Sequence, residues 1–157
     1  LAAAAAGATV THVDASKGMV TWAKENAVSS GLKDAPIRWL VDDCVKFVER
    51  EIRRGNTYDA IIMDPPSYGR GPKGEIWKIE DMIHPLIRLC AKILSKDALF
   101  FLVNSYTTGL APAVLTYMIS TELKSWNGHV DSQEIGLPVT NSGLVLPCGA
   151  SGRWESR

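Results

Sequence analysis

Carboxylates follow three predicted strands, at the points where those strands end. They are Asp14, Asp42, Asp43 and Asp64, and each follows a short apolar run that is typical of a β-strand. Carboxylates accept hydrogen bonds from hydroxyl and amino groups, and an acid after an early strand binds ribose hydroxyls in nucleotide-binding α/β sheets. Because parallel strands end at one edge of a sheet, we expect these acids to face one crevice that binds a nucleotide-containing ligand.

The same acids have a simpler interpretation as helix caps. Asp14 and Asp42 both precede predicted helices, where an acid satisfies free N–H groups of the first turn. For a single acid either role is open. Recurrence at three successive strand ends favours the ligand site, because capping does not require an acid after every strand.

The segment at positions 64–68 has the sequence Asp-Pro-Pro-Ser-Tyr and ends an apolar run that predicts a buried strand from Ala60. Pro65 and Pro66 lack an N–H and fix φ at about −65°, so the chain must leave the sheet as a stiff turn. Such a turn at the strand's carboxyl edge can hold a flat group against Tyr68 and offer it carbonyl acceptors. The alternative is a plain turn that only ends the strand.

Strands and helices alternate along most of the chain. The predicted strands are 8–14, 37–41, 60–63 and 98–103, and the predicted helices are 16–30, 45–54, 79–94 and 112–123. This alternation indicates right-handed βαβ units and a parallel sheet. Residues 128–137 and 143–148 predict a closing antiparallel hairpin, and 69–78 predicts a polar, glycine-rich loop. Met19, Trp22 and Ala27 predict the apolar face of the first long helix.

The composition limits the class of protein. A chain of 157 residues with a formal net charge of zero predicts one globular domain and argues against a strongly basic nucleic-acid module, though not against a local basic patch. Cys44, Cys90 and Cys148 are odd in number and far apart, which favours free thiols in a reducing compartment such as the cytoplasm. No run is long enough for a membrane span, and no spacing suggests a metal site.

These motifs, in this order, resemble class I S-adenosylmethionine-dependent methyltransferases, and more narrowly the bacterial 23S rRNA large-subunit methyltransferase family. The resemblance is carried by residues 7–16, by Asp42 and Asp43, and by residues 63–68, and it covers nearly the whole chain. It implies a Rossmann-like, doubly wound α/β fold with a mostly parallel sheet and a C-terminal antiparallel hairpin. It also implies one catalytic domain over residues 1–157, with S-adenosylmethionine as cofactor and RNA as substrate.

The resemblance implies roles for individual residues. Asp14 would bind the cofactor ribose, and Asp43 would lie near the adenine. The full implied cofactor-binding set is Asp14, Ala15, Ser16, Asp42, Asp43, Cys44 and Asp64. The residues implied to line the place where the methyl group meets its acceptor are Asp64, Pro65, Pro66 and Tyr68.

Two features depart from the family's pattern. The first central strand and its glycine-rich loop are absent, so we expect the chain to be truncated at its N-terminus, with two exposed sheet edges that favour a homodimer. Relatives that methylate cytosine C5 carry a nucleophilic cysteine where this chain has Ser67 or residues 104–106. We therefore expect direct transfer to a nitrogen or oxygen, with Tyr68 stacking on a base.

Other residues and other functions are weaker candidates. Trp77 is predicted to face the substrate, and a basic cluster of Arg70, Lys73 and Lys78 is either a solvated loop or a phosphate contact. His12 and His84 are interpreted as structural. The alternative functions are a non-catalytic binding module with the same fold and, less favoured, a nicotinamide-dependent oxidoreductase.

Overall fold

The computed structural model describes residues 1–71, 74–107 and 109–157 and divides the chain into two compact units, Leu1–Arg54 and Gly55–Arg157. Within these residues, no helix is long and apolar enough to cross a membrane. Lys73 of the predicted basic cluster lies outside the described residues.

The first unit contains a parallel strand pair and its connecting helix. Its elements are α1 (Ala2–Ala5), β1 (Val10–Asp14), α2 (Lys17–Ser29), β2 (Ile37–Val41) and α3 (Cys44–Arg54). The pairing of β1 with β2 runs in register from Val10 and Ile37 to Asp14 and Val41. The predicted βαβ arrangement is confirmed here, and both strands end at the same level.

The buried face of α2 differs from the predicted one. Val20 and Ala27, seven residues apart and therefore on one face, are buried. Met19 and Trp22, which lie on the predicted apolar face, are exposed by 48% and 58%. The pair β1–β2 is narrow, and a narrow sheet can cover only part of a wide apolar stripe on the helix that packs against it.

The second unit is built on a mixed sheet with helices beside it. Its elements are β3 (Ala60–Met63), β4 (Tyr68–Arg70), β5 (Ile76–Lys78), α4 (Ile79–Ala91), β6 (Phe100–Ser105), α5 (Pro112–Glu122), β7 (Gly128–Pro138) and β8 (Val145–Ser156). The larger sheet has the order β3-β6-β8-β7. Strand β3 pairs in parallel with β6, whereas β8 is antiparallel to both β6 and β7. The predicted parallel pair and C-terminal hairpin are confirmed.

Strand β8 is longer than predicted, because it continues past Cys148 to Ser156. Gly149 and Gly152 lie in this extension, where the lack of a side chain permits close packing. A Cβ on Gly152 would lie 2.8 Å from Leu115 Cβ on α5. Glycine thus lets α5 pack closely against the sheet, beside the buried Ile119 and Trp154.

The apolar run of β3 is less buried than predicted. Ile62 is 59% exposed. The reason is its place in the sheet, since β3 is an outer strand with β6 as its hydrogen-bonded neighbour. Helix α4 is also three residues shorter than predicted and ends at Ala91 rather than Leu94.

The predicted glycine-rich loop is a small β-hairpin. Strand β4 pairs with β5 in antiparallel register, with Tyr68 opposite Lys78, Gly69 opposite Trp77 and Arg70 opposite Ile76. The loop prediction is therefore wrong for residues 69–70 and 76–78. Three glycines indicated a loop, whereas the strand pairing joins residues that are six to ten positions apart.

Candidate active site

Asp14 ends β1 and holds the turn into α2. Its Oδ1 accepts a hydrogen bond from the Ser16 N–H at 2.6 Å, and Ser16 Oγ accepts one from the Met19 N–H at 3.3 Å. This confirms Ser16 as the cap of α2. No partner for Asp14 Oδ2 is present within the described ranges, so this oxygen is available to a ligand hydroxyl.

Asp42 and Asp43 differ in what their carboxylates bind. Asp42 accepts a hydrogen bond from the Asp43 N–H at 2.9 Å and forms an ion pair with Arg50, so both of its oxygens have partners. Asp43 Oδ1 caps α3 by accepting from the Lys46 N–H at 2.9 Å. Its Oδ2 has no partner in the part of the chain that the structure describes. Asp43 therefore caps α3 through one carboxylate oxygen, and its other oxygen is left for a ligand.

Cys44 lies among these acids. Its thiol donates weakly to the Val13 carbonyl, with 3.7 Å between Sγ and O. Desolvation raises the pKa of the Cys44 thiol above its usual value although part of the residue is exposed, and the negative charges of Asp14, Asp43 and Asp42 raise it further. The Asp42 N–H donates a hydrogen bond to the Asp14 carbonyl at 3.0 Å, so the acids at the ends of β1 and β2 form a single cluster. The thiol is held neutral and is a poor nucleophile.

Asp64 begins the Pro-Pro turn of the second unit. Desolvation by the surrounding chain raises the pKa of its carboxyl group, although the side chain remains largely exposed. Within residues 1–71, 74–107 and 109–157, the carboxylate has no hydrogen bond or ion pair. Because Asp14 and Asp43 belong to the first unit, the predicted grouping of Asp64 with them stays a prediction.

Two side chains hold the Pro-Pro turn in place. Trp77 Nε1 on β5 donates a hydrogen bond to the Pro66 carbonyl at 2.6 Å. Ser67 Oγ and Thr107 Oγ1 are 2.6 Å apart, and the Thr107 N–H donates to Ser105 Oγ at 3.2 Å. The turn at the end of β3 is thus fixed to β5 and to the segment after β6.

These contacts give Trp77 a supporting role. Its indole is half-buried and donates to the Pro66 carbonyl, so it supports the turn, and the expectation that it faces the substrate stays a prediction. Thr107 was not among the predicted site residues, because it lies forty positions from Ser67 and belongs to no motif. A polar residue just after the neighbouring parallel strand is the signal that could have indicated it.

Tyr68 is exposed by 51% at the start of β4. Its hydroxyl accepts a hydrogen bond from Arg70 Nε at 3.0 Å. The ring is therefore anchored at its polar end while its face stays accessible.

The histidines and a cavity lie outside this arrangement. His84 Nε2 contacts Glu122 at 2.7 Å, and His12 stacks at a tilt on Trp39, which agrees with structural roles. A cavity lined by Asp97, Trp126 and Arg157 lies before the start of β6, away from its carboxyl end. In the described part of the chain, no cluster of His, Cys, Asp and Glu could hold a metal ion.

Comparison with known proteins supports the assignment of the fold. No protein-family model matches the chain. A SAM-dependent methyltransferase from Agrobacterium tumefaciens is similar in structure, with 42% identity, a TM-score of 0.90, and coverage of 99% of this chain and 51% of that one. The chain has the Rossmann-like fold of the class I methyltransferases. The fold class expected from the sequence is confirmed, as is the resemblance to this class.

Curated proteins named as methyltransferases are also similar in sequence. The ribosomal RNA large subunit methyltransferase K/L of Pseudoalteromonas atlantica is 36% identical over 86 residues, which are 54% of this chain and 12% of that protein. The ribosomal RNA large subunit methyltransferase K of Neisseria meningitidis is 28% identical over 105 residues, 66% of this chain and 30% of that protein. The chain spans less than a third of either curated relative.

A more distant structure has the same fold. A methyltransferase solved in complex with SAH is 21% identical, with a TM-score of 0.70, and covers 92% of this chain and 38% of that one. At this level of identity the similarity concerns the fold alone.

Proposed function

We propose that this chain is the catalytic part of an S-adenosylmethionine-dependent methyltransferase that acts on RNA, with ribosomal RNA as the substrate, in the cytoplasm. The observation that carries the proposal is the stiff turn from Asp64 to Tyr68 at the carboxyl end of β3, which Trp77 and Thr107 hold in place. The names of the relatives support the reaction and the substrate. The one-domain interpretation of residues 1–157 belongs to the same proposal.

The first unit contributes the cofactor-binding residues. Asp14 accepts hydrogen bonds from the ribose hydroxyls through Oδ2, because Oδ1 is already bonded to the Ser16 N–H. Asp43 accepts from the adenine amino group in the same way. Asp42 forms an ion pair with Arg50 and so supports this arrangement without contacting the cofactor. Ala15, Ser16 and Cys44 line the site through their backbone. These acceptor oxygens suit S-adenosylmethionine, since its hydroxyl and amino groups donate hydrogen bonds.

The second unit positions the methyl acceptor. The Pro66 carbonyl already accepts from Trp77, whereas the Pro65 carbonyl accepts no hydrogen bond among the described residues. Pro65 and Asp64 therefore offer two open acceptors to an N–H or O–H of the substrate. Tyr68 stacks on a base of the substrate next to the acceptor, as aromatic side chains do on unpaired nucleotides. These contacts orient the acceptor's lone pair, which is the main requirement for direct transfer.

When bound, the cofactor supplies an electrophilic methyl group on a sulfonium sulfur. Transfer to an amino nitrogen leaves a proton on that nitrogen, which the Asp64 side chain can accept in its ionised form, since it has no protein partner in the described residues. A covalent enzyme intermediate is not part of the proposal. The hydroxyls of Ser67 and Thr107 bond to each other, and the thiol of Cys44 is held neutral.

Transfer of a labelled methyl group tests the proposal. The full-length gene product is incubated with methyl-labelled S-adenosylmethionine and with ribosomal RNA from cells that lack the gene. We expect label in the RNA, reduced about 100-fold in Asp64→Asn, the size of loss typical of one essential polar group in an active site. Glu134→Gln, which removes an exposed carboxylate on β7, should leave the rate unchanged.

Two results would favour the alternatives. An enhancement of NADH fluorescence on mixing, without methyl transfer, would support the oxidoreductase. Absence of both signals would support the binding module. The homodimer stays a prediction, which light scattering on the same preparation tests.

A further inference from the structure

The β4–β5 hairpin has two faces of different character. In an antiparallel pair, residues directly opposite each other point to the same side. Gly69 and Trp77 therefore share the face that contacts Pro66, where a Cβ on Gly69 would lie 3.9 Å from Pro66 Cγ. The other face carries Tyr68, Arg70, Ile76 and Lys78. We call it the outer hairpin face.

The outer hairpin face is exposed and combines aromatic, apolar and cationic groups. Tyr68 and Ile76 are exposed by 51% and 56%, and Arg70 and Lys78 are exposed as well. Exposed aromatic and aliphatic groups beside two cations are unusual for a face that only meets solvent, since contact with water gains nothing from them. The composition suits a ligand with both flat apolar groups and negative charges.

The two cations of this face are Arg70 and Lys78. None of the ion pairs among the described residues involves Arg70 or Lys78. Arg70 uses Nε to donate to the Tyr68 hydroxyl, which leaves the four N–H groups of its two Nη atoms for an anion. Lys78 lies directly opposite Tyr68 in the pairing. The aromatic ring therefore has one cation beside it on its own strand and another across the strand pair.

We propose that the outer hairpin face binds a single-stranded RNA segment adjoining the methylated nucleotide, with Arg70 and Lys78 on phosphates and Tyr68 stacked on a base. The proposal rests on the function proposed above and specifies how that substrate is held. Positive charge tracking the backbone beside an aromatic platform is the usual arrangement for unpaired nucleic acid. An A-form duplex would keep its bases stacked and so could not use Tyr68.

The acids near this face limit where the phosphates can lie. Glu80 and Asp81 follow Lys78 in the first turn of α4, and Glu75 precedes Ile76. The RNA backbone should therefore cross the middle of the hairpin, between Arg70 and Lys78, rather than run along α4. This local arrangement explains how a chain with a net charge of zero can bind an anionic polymer.

Fluorescence anisotropy of a fluorescein-labelled, unpaired RNA mixed with the full-length gene product tests the proposal. The RNA has about twelve nucleotides, which is within the range of single-strand site sizes. Arg70→Gln/Lys78→Gln removes both cations. The loss of two phosphate contacts should weaken binding about 25-fold at 0.1 M salt and reduce the slope of log K against log salt by about 1.4. The matched control is Lys92→Gln/Lys124→Gln, two exposed cations of the same unit, which should leave affinity and slope unchanged.

Four results would overturn the proposal. They are unaltered RNA binding in Arg70→Gln/Lys78→Gln, equal weakening by the control pair, equal affinity for the duplex form of the RNA, and equal competition by polyglutamate at the same charge concentration. Calorimetric titration of S-adenosylhomocysteine into the same variants separates this test from that of the overall function. Normal cofactor binding with unaltered RNA binding in Arg70→Gln/Lys78→Gln would refute only the hairpin surface, whereas loss of cofactor binding in the wild type would refute the methyltransferase proposal.

Discussion

Trp77 Nε1 lies 2.6 Å from the Pro66 carbonyl oxygen, and this hydrogen bond connects the β4–β5 hairpin to the turn that ends β3. The bond takes up the Pro66 carbonyl and leaves that of Pro65 open. One contact therefore determines which carbonyl of the turn can meet a substrate. It also brings the inner face of the hairpin against the turn, so the outer face points away from it.

Removal of the indole N–H tests this positioning role. Trp77→Phe keeps an aromatic ring but cannot donate to Pro66, so the turn should lose its fixed orientation. We expect kcat to fall about 10-fold, because small misplacements of reacting groups are costly, while affinity for S-adenosylhomocysteine is unchanged. Steady-state kinetics and calorimetry measure the two quantities.

Trp22→Phe is the matched control, since Trp22 is 58% exposed on α2. It should leave kcat unchanged. A normal kcat in Trp77→Phe would show that the hydrogen bond does not position the turn.

The Ser67–Thr107 hydrogen bond should appear as a coupling in stability. Ser67→Ala and Thr107→Val each leave the other hydroxyl without its partner, so the second substitution should cost less than the first. A double-mutant cycle from urea unfolding should give a coupling of about 1 kcal/mol. Strict additivity of the two substitutions would contradict the bond.

The Cys44 thiol should react slowly with iodoacetamide. Burial and three nearby carboxylates raise its pKa, so the reactive thiolate is scarcer at pH 8 than in a free thiol. In a Cys148→Ser background, where Cys90 is buried, the pH at half-maximal rate should lie above that of free cysteine. Replacement of Asp14 by Asn should lower that pH, and a value below that of free cysteine would contradict the acidic cluster.

Asp64 should reduce stability at neutral pH. Its pKa is raised in the folded state, so ionisation costs more there than in the unfolded chain. The cost is absent below the unfolded pKa, grows as the pH rises through the folded pKa, and is complete above it. Asp64→Asn should therefore have a slightly higher urea midpoint than the wild type at pH 7, and the difference should vanish near pH 3. A lower midpoint at pH 7 would show that the carboxylate stabilises the fold.

Glycine at position 152 should be required for packing. Alanine there places Cβ 2.8 Å from Leu115 Cβ, which forces α5 away from β8. We expect a loss of about 1–3 kcal/mol in the free energy of unfolding. Gly18→Ala on α2, where the nearest atom is Ser16 Oγ at 3.7 Å, should instead stabilise by about 0.5–1 kcal/mol. Equal effects of the two substitutions would contradict the packing argument.

The sequence predicted the elements whose signals are local. Strand β2 has the predicted bounds because apolar residues and acids mark its ends, and α2 begins at the predicted cap, Ser16. The hairpin was missed because its pairing depends on Trp77 reaching Pro66, eleven residues away. The end of β8 was missed because the sequence does not distinguish a glycine that packs against a helix from a glycine in a turn.

The candidate site shows the same division. The acids at the strand ends could be identified from the sequence, but the sequence did not show that Asp43 keeps an unpaired carboxylate oxygen among the described residues whereas Asp42 does not. This difference depends on Arg50, which lies two helical turns further along α3 and forms an ion pair with Asp42. Thr107 was missed because its partner, Ser67, lies on another strand end.

Calorimetric titration of S-adenosylhomocysteine into the full-length gene product tests whether this protein binds the cofactor through Asp14. We expect saturable binding to the wild type. The affinity should be weakened about 10-fold in Asp14→Asn, through loss of a hydrogen bond to a charged acceptor, and unchanged in Asp34→Asn, an exposed acid of the same unit. Absence of binding to the wild type, or equal affinity in Asp14→Asn, would contradict it and would leave the acids at the strand ends as helix caps.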